Sequence, residues 1–378
     1  MRKLTQLFLL LVFCALLVVP TINVFSSPHP LKVKWKKKSL YNMDFALHQL
    51  TAALYQLGIS TEPGNVVVGL DGWLFLGNDS EHVISDGREG FTPKTIAQGE
   101  KIGAAAAAWE NWLYENGVKL YRVMIGPNKG TVYPEQMPFW ARPLPPNATD
   151  ALLKGTGSTR YVDLRGVLKE AKTSQAESLY FKTDTHWNSL GAGIAFQAFA
   201  KSIEVAAPEL RWPSEDTYRP IRVEPRSGND LISYFRLKLD VVYPSPVVAL
   251  QELPVETTRY EFNSKSVIGT GGNPEMSIQL GQPVLVRSQG ALNNKRVLWL
   301  RDSFGVALSP FMAATFNEVL HVHWMEAFTS DGRLAELVHA WKPDYVFVTV
   351  VERFARSDFF TTLPPPIERC LSACTRAD

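Results

Sequence analysis

The chain has 378 residues, enough for one large domain or two modest ones with a full hydrophobic core. Its 39 basic and 37 acidic residues leave a net charge of +2, which gives no overall nucleic-acid-binding signature. The composition is globular and rich in aromatic residues, and the sequence contains no Walker A loop, dinucleotide fingerprint or internal repeat.

The first predicted element is an apolar segment from Leu7 to Phe25, with two basic residues ahead of it. About 20 apolar residues span a bilayer, so the segment is long enough to cross one. No persuasive small-x-small cleavage site follows, which favours an uncleaved signal anchor, tethering a periplasmic domain to the inner membrane, over a cleaved signal peptide. Five lysines between Lys32 and Lys38 oppose this orientation, because the positive-inside bias would keep them in the cytoplasm. Export remains the expectation because long domains translocate largely regardless of charge.

Cys370 and Cys374, near the end of the chain, are spaced so that they can form a local disulfide in an oxidising compartment. They do not predict a metal site, since two cysteines without a neighbouring histidine or second cysteine pair fall short of zinc ligation. The sequence predicts neither a metal nor a cofactor.

Helix and strand signals alternate after the basic segment. A helix is predicted from Asp44 to Leu57, and an alanine-rich helix from Thr95 to Asn116 is closed by Gly117. Between them, Val66 to Gly77 predicts a hairpin whose apolar runs meet at Asp71-Gly72, a favoured two-residue turn.

A buried strand is predicted from Val118 to Ile125, and the loop from Gly126 to Glu135 follows its carboxyl end. A loop in that position is a candidate wall of a ligand site. Lys129 and Tyr133 are therefore candidate site residues, although a lysine in a loop is more often simply exposed.

The segment from Tyr180 to Gly193 carries an Asp-x-His pair and leads into a helix predicted from Ile194 to Val205. Residues two apart in an extended segment point the same way, so Asp184 and His186 can lie side by side. Such a carboxylate holds the imidazole in one tautomer while the other ring nitrogen faces outward as a general base. The alternative is a surface Asp-x-His pair at the start of a helix.

Residues 205–295 carry few helix signals, several prolines and glycines, and alternating runs such as Leu237 to Val242. This pattern predicts a β-rich insertion. It is either a lid or polymer-contact region or a structural elaboration.

A short apolar run from Arg296 to Leu300 predicts a parallel strand buried on both faces. Polar residues interrupt the run, and helical periodicity resumes at Val306. A strand-to-helix turn of this kind lifts Ser303 to the carboxyl edge of the sheet, where open α/β sheets bind ligands. Ser303 is therefore a candidate nucleophile; the alternative is that it only caps the helix while Asp302 turns inward as a scaffold residue.

Two further strands are predicted, from Val319 to Trp324 and from Pro343 to Val351. His321 and His323 share one face of the first strand, but two histidines without a nearby carboxylate predict packing rather than metal binding. Glu352-Arg353 follows the second strand.

Four motifs follow one another along the chain: Gly69-Leu-Asp-Gly-Trp-Leu-Phe-Leu-Gly-Asn-Asp79, Gly126-Pro-Asn-Lys129 with Tyr133-Pro-Glu135, Thr183-Asp-Thr-His-Trp-Asn188 and Arg301-Asp-Ser-Phe-Gly305. They occur in the order found in alginate O-acetyltransferases of the AlgJ/AlgX type, and the chain resembles this family from Leu40 to Phe360. The resemblance implies a catalytic triad of Ser303 as nucleophile, His186 as base and Asp184 as its orienting carboxylate. The order of these residues is permuted relative to ordinary SGNH hydrolases. Those enzymes also supply an oxyanion-hole asparagine where this chain has Glu352-Arg353.

The predicted fold is α/β, an SGNH hydrolase-like (flavodoxin-like) parallel sheet with helices on both faces. The predicted divisions are a signal anchor and basic linker (1–39), a first half with the Asp-His motif (40–204), the β-rich insertion (205–295) and a second half with the nucleophile (296–378). Further candidates for substrate or oxyanion contacts are Lys129, Tyr133, Arg301 and Arg353.

The resemblance implies an O-acetyltransferase that forms an acetyl-Ser303 intermediate and acetylates an exported polysaccharide, alginate-like or cellulose-like. It also implies a membrane-bound O-acyltransferase partner that passes acetyl groups across the bilayer. A polysaccharide acetyl esterase and a non-catalytic polysaccharide-binding assembly component are the alternatives, because the triad residues alone do not separate transfer from hydrolysis.

Overall fold

The computed structural model describes residues 2–25, 40–42, 44–156, 160–226, 230–234, 243–329 and 331–366. Three sequence features lie outside these residues: the predicted disulfide of Cys370 and Cys374, the lysines between Lys32 and Lys38, and the alternating run from Leu237 to Val242.

An eight-stranded, mostly parallel sheet forms the centre of the molecule. The strands in chain order are β1 (Val66–Val68), β2 (Leu74–Leu76), β3 (Leu120–Gly126), β4 (Tyr161–Asp163), β5 (Pro220–Arg226), β6 (Tyr243–Val248), β7 (Glu256–Glu261), β8 (Val267–Thr270), β9 (Val284–Gln289), β10 (Asn293–Arg301), β11 (Phe316–His323) and β12 (Tyr345–Val351). The sheet order is β4-β3-β12-β10-β11-β9-β7-β8. The strands from β4 to β11 in this order are parallel, and β9, β7 and β8 extend the sheet in antiparallel pairs.

Helices cover both faces of this sheet. In chain order they are α1 (Arg2–Phe25), α2 (Asp44–Gln56), α3 (Val83–Arg88), α4 (Pro93–Glu115), α5 (Lys129–Val132), α6 (Ala148–Thr156), α7 (Arg165–Ser174), α8 (Ser189–Ile203), α9 (Asp230–Tyr234), α10 (Gly305–Thr315), α11 (Trp324–Ala327) and α12 (Arg333–Trp341). Val297 and Trp299 of β10 face a core shared with α7, α8 and α10, whereas Leu298 and Leu300 face a core shared with α4, α6 and α12. Burial on both faces explains why the strand is a continuous apolar run, and the predicted fold class is confirmed.

Local capping corrects one predicted helix boundary. The helix α8 begins at Ser189 instead of Ile194, because the Asn188 side-chain oxygen accepts the backbone N–H groups of Leu190 and Gly191. The cap places the helix start directly behind the Asp-x-His pair.

The predicted hairpin is present as β1 and β2, but its connection is longer than a two-residue turn. Val68 pairs with Leu74, so residues 69–73 join the strands. Asp71 and Gly72 both adopt positive φ angles within this loop, 51° and 78° respectively. Gly72 adopts its positive φ angle without steric cost because glycine has no Cβ. The predicted two-residue turn was wrong in length, since residues 69–73 form the connection.

Residues 205–295 contribute strands to two different sheets. β5 and β6 form a separate antiparallel pair, whereas β7, β8 and β9 belong to the central sheet. The region is therefore rich in strands among its described residues, and its status as a discrete insertion remains a prediction, as do the other domain divisions.

The helix α1 is exposed from Leu4 to Val18 and partly exposed nearer its carboxyl end. Its stretch from Leu4 to Phe25 is long and apolar enough to cross a membrane, and none of it is buried against the protein. An exposed apolar helix at this position fits a signal sequence or an anchor, and either one implies export.

Candidate active site

Ser303, His186 and Asp184 form a hydrogen-bonded chain at the carboxyl edge of the parallel strands. The Ser303 hydroxyl lies 2.8 Å from His186 Nε2, and His186 Nδ1 lies 2.6 Å from Asp184 Oδ1. The same Asp184 oxygen accepts the backbone N–H of His186 at 3.0 Å, so one carboxylate orients both the ring and its backbone. Burial raises the pKa of Asp184, but hydrogen bonding to His186 and the charges nearby outweigh burial and leave the pKa below its usual value. The catalytic roles of these three residues remain predictions.

The turn that carries Ser303 is organised by the carboxylate beside it. Asp302 Oδ1 accepts the Phe304 N–H at 2.9 Å, and its Oδ2 accepts the Val351 N–H at 2.8 Å and the Trp324 indole N–H at 3.3 Å. Asp302 is only 5 % exposed. The Ser303 side chain makes no capping bond to α10 and is exposed, so the reading of Ser303 as only a helix cap was wrong.

Arg301 lies beneath this turn and does not reach the surface. Its Nε donates to His321 Nδ1 at 3.1 Å, and its guanidinium also donates to the backbone carbonyls of Asp302 and Met276. Burial lowers the pKa of Arg301 to about 9, and burial together with the Arg301 charge holds the pKa of His321 well below its usual value. Arg301 therefore cannot make the direct substrate contact predicted for it. It ties the connection between β8 and β9 to the Ser303 turn, with His321 as a neutral acceptor.

Lys129 is also buried, 4 % exposed, which contradicts both a substrate-contacting and a simply exposed lysine. Its Nζ donates to the backbone carbonyls of Phe181 and Lys182, each at 3.0 Å, and of Asp184 at 2.6 Å. Three acceptor oxygens require three N–H donors, which only the protonated amine supplies. A single position in the sequence does not reveal such a cage, because the carbonyls come from a segment more than fifty residues away.

Asp230, at the start of α9, is a second carboxylate beside the histidine and was not singled out in the sequence. It accepts both the N–H and the hydroxyl of Thr185, and its Oδ2 lies 3.7 Å from His186 Nδ1. Burial and the Asp184 charge raise the pKa of Asp230, while burial lowers the pKa of Lys129 to about 7 and both carboxylates oppose that shift. The aspartate follows a glycine and an asparagine, which signals only a turn.

The polar atoms of Asp184, His186 and Asp230 lie within 4.8 Å of one another, close enough to be considered for a metal ion. The 2.6 Å separation of His186 Nδ1 and Asp184 Oδ1 is a hydrogen bond. Two ligands about 2.1 Å from a tetrahedral zinc ion would stand more than about 3 Å apart. The arrangement fits a polarised imidazole better than a metal centre.

Tyr133 supports the same segment from inside. Its ring is buried, and its hydroxyl oxygen accepts the Leu179 N–H at 2.8 Å. A direct contact between Tyr133 and substrate is therefore not supported by its position.

Arg353 is the remaining predicted contact residue, and it does line the cleft beside Ser303. Its Nη1 donates to Asn128 Oδ1 at 3.3 Å, and its guanidinium lies 5.8 Å from the Phe304 ring centre. Glu352 turns the other way and accepts the Asn128 N–H at 2.8 Å in a buried site. Of this pair, only Arg353 lines a cleft that also contains Ser303.

Trp187 and Phe304 join the two turns. The Trp187 indole N–H donates to the Phe304 carbonyl at 2.9 Å, and the two ring centres are 4.9 Å apart. Gly126, at the end of β3, allows this approach, because a Cβ there would stand 2.8 Å from the Phe304 ring and 3.1 Å from the Trp187 ring. The positions of His186 and Ser303 are therefore mechanically coupled.

Two clefts meet at Ser303 and share Ser277 and Val306 in their walls. The first, of about 240 Å³, is otherwise lined by Phe181, Asp184, His186, Trp187, Arg226, Glu275 and Ala307. The second, of about 270 Å³, is otherwise lined by Ile278, Asp302, His323, Trp324, Met325, Val351, Arg353 and Phe354. The first cleft contains the candidate base, His186, with Asp184, Arg226 and Glu275. The second contains Arg353, Asp302 and His323 together with apolar side chains such as Met325 and Phe354.

The fold and the turn-borne serine define an SGNH hydrolase-like α/β protein. Residues 66–277 match the family described as SGNH hydrolase-like domain, acetyltransferase AlgX, and the chain belongs to that family.

Curated relatives agree with this assignment. "Probable alginate O-acetylase AlgJ" of Pseudomonas aeruginosa is 29% identical over 230 residues, 58% of this chain and 54% of the relative. The protein of the same name from Pseudomonas fluorescens is 25% identical over 210 residues, 52% of this chain and 49% of the relative. The match thus spans about half the length of these relatives.

Solved structures support the fold alone. Bacillus cereus PatB1 aligns with a TM-score of 0.53 at 15% identity, covering 79% of this chain and 99% of PatB1. A DHHW family protein from Eubacterium siraeum aligns with a TM-score of 0.53 at 14% identity, covering 82% of this chain and 98% of that protein.

Proposed function

We propose that the protein is a polysaccharide O-acetyltransferase with Ser303 as its nucleophile. The observation that carries the proposal is the continuous hydrogen-bonded chain from Asp184 through His186 to Ser303, in a member of an acetyltransferase family. The name of the curated relatives supports an exported, alginate-like polysaccharide as acceptor, and a cellulose-like polymer is the second candidate.

In the first step, Ser303 Oγ attacks the carbonyl carbon of an acetyl donor while its proton passes to His186 Nε2. Asp184 stabilises the imidazolium that forms and keeps its ring in place. When the tetrahedral intermediate collapses, the donor's carbonyl–oxygen single bond breaks and the leaving oxygen takes the proton from His186. Acetyl-Ser303 remains.

The negative charge of the tetrahedral intermediate needs donors on the far side of Ser303 from His186. The Ser303 backbone N–H makes no hydrogen bond within the described part of the chain, so it is available for this purpose. Arg353, in the position where ordinary SGNH hydrolases carry asparagine, supplies a positive charge in the same cleft.

In the second step, a sugar hydroxyl gives its proton to His186 and attacks the acetyl carbon. The bond between Ser303 Oγ and the acetyl carbon then breaks, and Oγ takes that proton back from His186 Nε2. The leaving group and the acceptor both exchange a proton with the same His186 nitrogen, so both occupy the first cleft. The acyl methyl group then points into the second cleft, toward Met325 and Phe354. A transferase of this kind differs from an esterase by excluding water from the first cleft when acceptor is bound.

The proposed location is the periplasm, with α1 tethering the protein to the inner membrane; a cleaved signal peptide is the alternative. A membrane-bound O-acyltransferase is the proposed source of acetyl groups, because the periplasm then needs no soluble acetyl donor. The proposed enzyme uses no cofactor.

The test uses the full chain in detergent with a chromogenic acetyl ester, with and without alginate or cellulose oligosaccharides. Acetate release and the mass of the sugar are followed for the wild type and Ser303→Ala. Acetylated sugar that requires Ser303 supports the transferase. Acetate release that no acceptor changes identifies an esterase, and sugar binding without reaction in both proteins identifies a binding component.

A further inference from the structure

Lys129 approaches the candidate triad from the protein interior. The three carbonyls bound by its Nζ all belong to residues 181–184, directly ahead of His186. The shortest of these bonds, 2.6 Å, goes to the carbonyl of Asp184 itself. Each is a charge-assisted hydrogen bond, so one cation fixes the path of the chain that carries the Asp-x-His pair.

Aromatic rings of the hairpin close the other side of the lysine. Its Nζ lies 5.6 Å from the Trp73 ring centre and 5.2 Å from the Phe75 ring centre. Both rings are buried, and Lys129 lines neither of the two clefts that meet at Ser303. The conformation of β2 and the loop before it is thereby linked to the position of His186.

The ammonium also balances two acidic groups. Asp184 and Asp230 both lie beside His186, with polar atoms within 4.8 Å of one another, and like charges this close oppose each other's ionisation. The Lys129 charge lowers the pKa of Asp184, and both carboxylates favour the charged lysine. A neutral side chain at position 129 would leave this acidic pair uncompensated.

We infer that Lys129 is a positioning residue, which holds the backbone of residues 181–184 so that His186 meets both Asp184 and Ser303. It contacts neither substrate nor the reacting atoms. The inference rests on the proposed function for its effect on turnover, and it adds a residue that acts through the turn.

The test replaces Lys129 with methionine, which keeps an unbranched side chain but removes the charge and all three donors. Two rates are measured on the full chain: acetyl-ester turnover, and labelling of Ser303 by a sulfonyl fluoride, followed by intact mass. Labelling forms a bond from Ser303 Oγ to sulfur and releases fluoride while His186 takes the proton. It therefore reports His186–Ser303 alignment without any acetyl chemistry.

Lys129→Met is expected to lower both kcat and the labelling rate by about 100-fold, with KM changed less than about threefold, because the base is misplaced while the clefts remain. Lys172→Met is the matched control. Lys172 also donates to a backbone carbonyl, of Val132, and lies 5.1 Å from the Tyr133 ring centre, but it binds no carbonyl of residues 181–184. Its rates are expected to stay within about twofold of wild type.

Folding is checked by thermal unfolding, and Lys129→Gln, which keeps two N–H donors without the charge, replaces a methionine variant that does not fold. Wild-type rates in either folded variant overturn the inference, as does an equal loss in Lys172→Met or a wild type that is not labelled. The wild type could also be labelled at Ser303, with a rate that depends on Lys129, and yet transfer no acetyl group. That result would contradict the proposed function and still support the positioning role of Lys129.

Discussion

The two turns that meet at the candidate site are stabilised by buried charges of opposite sign. The Ser303 turn is built around a carboxylate, Asp302, which collects two backbone N–H groups and an indole N–H. The turn ahead of His186 is built around an ammonium, Lys129, which collects three carbonyls. The Phe304 N–H belongs to the turn that opens α10, where N–H groups lack an intrahelical acceptor, and the Val351 N–H comes from the end of β12. The turn ahead of His186 instead directs carbonyls inward.

Asp302 and Lys129 also differ in how far along the sequence each lies from the turn that it stabilises. Asp302 adjoins the serine it supports, whereas Lys129 acts from the first residue of α5, after the end of β3. A local support can be inferred from a motif, but a remote one depends on the packing of the whole edge of the sheet. Trp187 connects the two turns through its hydrogen bond to the Phe304 carbonyl. Loss of Asp302 or of Lys129 is therefore expected to disturb both turns.

Ser303→Ala is expected to lower activity the most, because it removes the proposed nucleophile and leaves both buried charges, Asp302 and Lys129, unchanged. Both buried charges stay in place, so the free energy of unfolding should change by less than about 0.5 kcal/mol, as for other exposed substitutions. Acetyl transfer should fall by about four to six powers of ten. Steady-state kinetics measure the loss of acetyl transfer, and denaturant unfolding measures the free energy of unfolding. Transfer at the wild-type rate would exclude the serine mechanism.

Asp302→Ala removes the buried carboxylate that stabilises the Ser303 turn. It leaves the Phe304 and Val351 N–H groups buried without an acceptor, at a cost of about 3 kcal/mol in the free energy of unfolding. Turnover should also fall, because the serine turn loses its anchor. Urea unfolding measures the first effect. Asp163→Ala, at a half-exposed carboxylate far along the sheet edge, is the control and should cost about 1 kcal/mol or less.

Phe354→Ala and Arg226→Ala test which of the two clefts holds the acyl group and which holds the acceptor. Phe354 lines the cleft assigned to the acyl group, so its truncation should raise the kcat/KM of a butanoyl ester relative to an acetyl ester by about tenfold. Arg226 lines the cleft assigned to the acceptor, so its loss should raise KM for the sugar and leave ester chain-length preference unchanged. Kinetics across an ester series test both, and the reverse pattern would exchange the two assignments.

Asp230→Asn gives the smallest expected effect and tests the charge balance around Lys129. The raised pKa of Asp230 means that the folded state holds the proton more tightly than the unfolded chain. Its contribution to stability is therefore present below the usual value of 3.8 and is lost as pH rises through the folded pKa. The asparagine variant lacks this loss and should gain stability relative to wild type above that pH.

The gain should be less than about 1 kcal/mol, because the side chain is 36% exposed and solvent screens its charge. Thermal unfolding between pH 3 and pH 7 is the measurement. A difference that stays constant across this range would show that Asp230 carries no ionisation penalty.

Sequence reasoning predicted the parts of the fold that depend on hydrophobic pattern. Continuous apolar runs at Arg296 to Leu300 and Pro343 to Val351 indicated strands buried on both faces, and such strands are present there. The strand-to-helix turn also predicted an outward Ser303, and the alternative in which Ser303 only caps the helix predicted the inward carboxylate of Asp302; the structure has both features.

The remote supports were not foreseeable in the same way. Lys129 follows a strand in a glycine- and proline-containing loop, where exposure is the common outcome, and its burial depends on aromatic rings from a hairpin elsewhere in the chain. Asp230 lies in a region whose sequence signals only turns and strands. Arg301 was a candidate for substrate or oxyanion contact, but it is the last residue of β10, a strand buried on both faces at this end, and it is fully buried.

The strand β12 lies between β3 and β10, although it is made after both of them. Tyr345 pairs with Leu120 on one side and with Val297 on the other, so the half of the sheet under Lys129 and the half under Ser303 have no direct backbone ladder between them. A chain that is synthesised and exported from its amino end therefore carries two unpaired sheet edges until this strand arrives. Parallel pairings across such long separations also form slowly. The two halves of the sheet that carry the candidate Ser303–His186 pair can therefore be joined by backbone pairing only after β12 has been made.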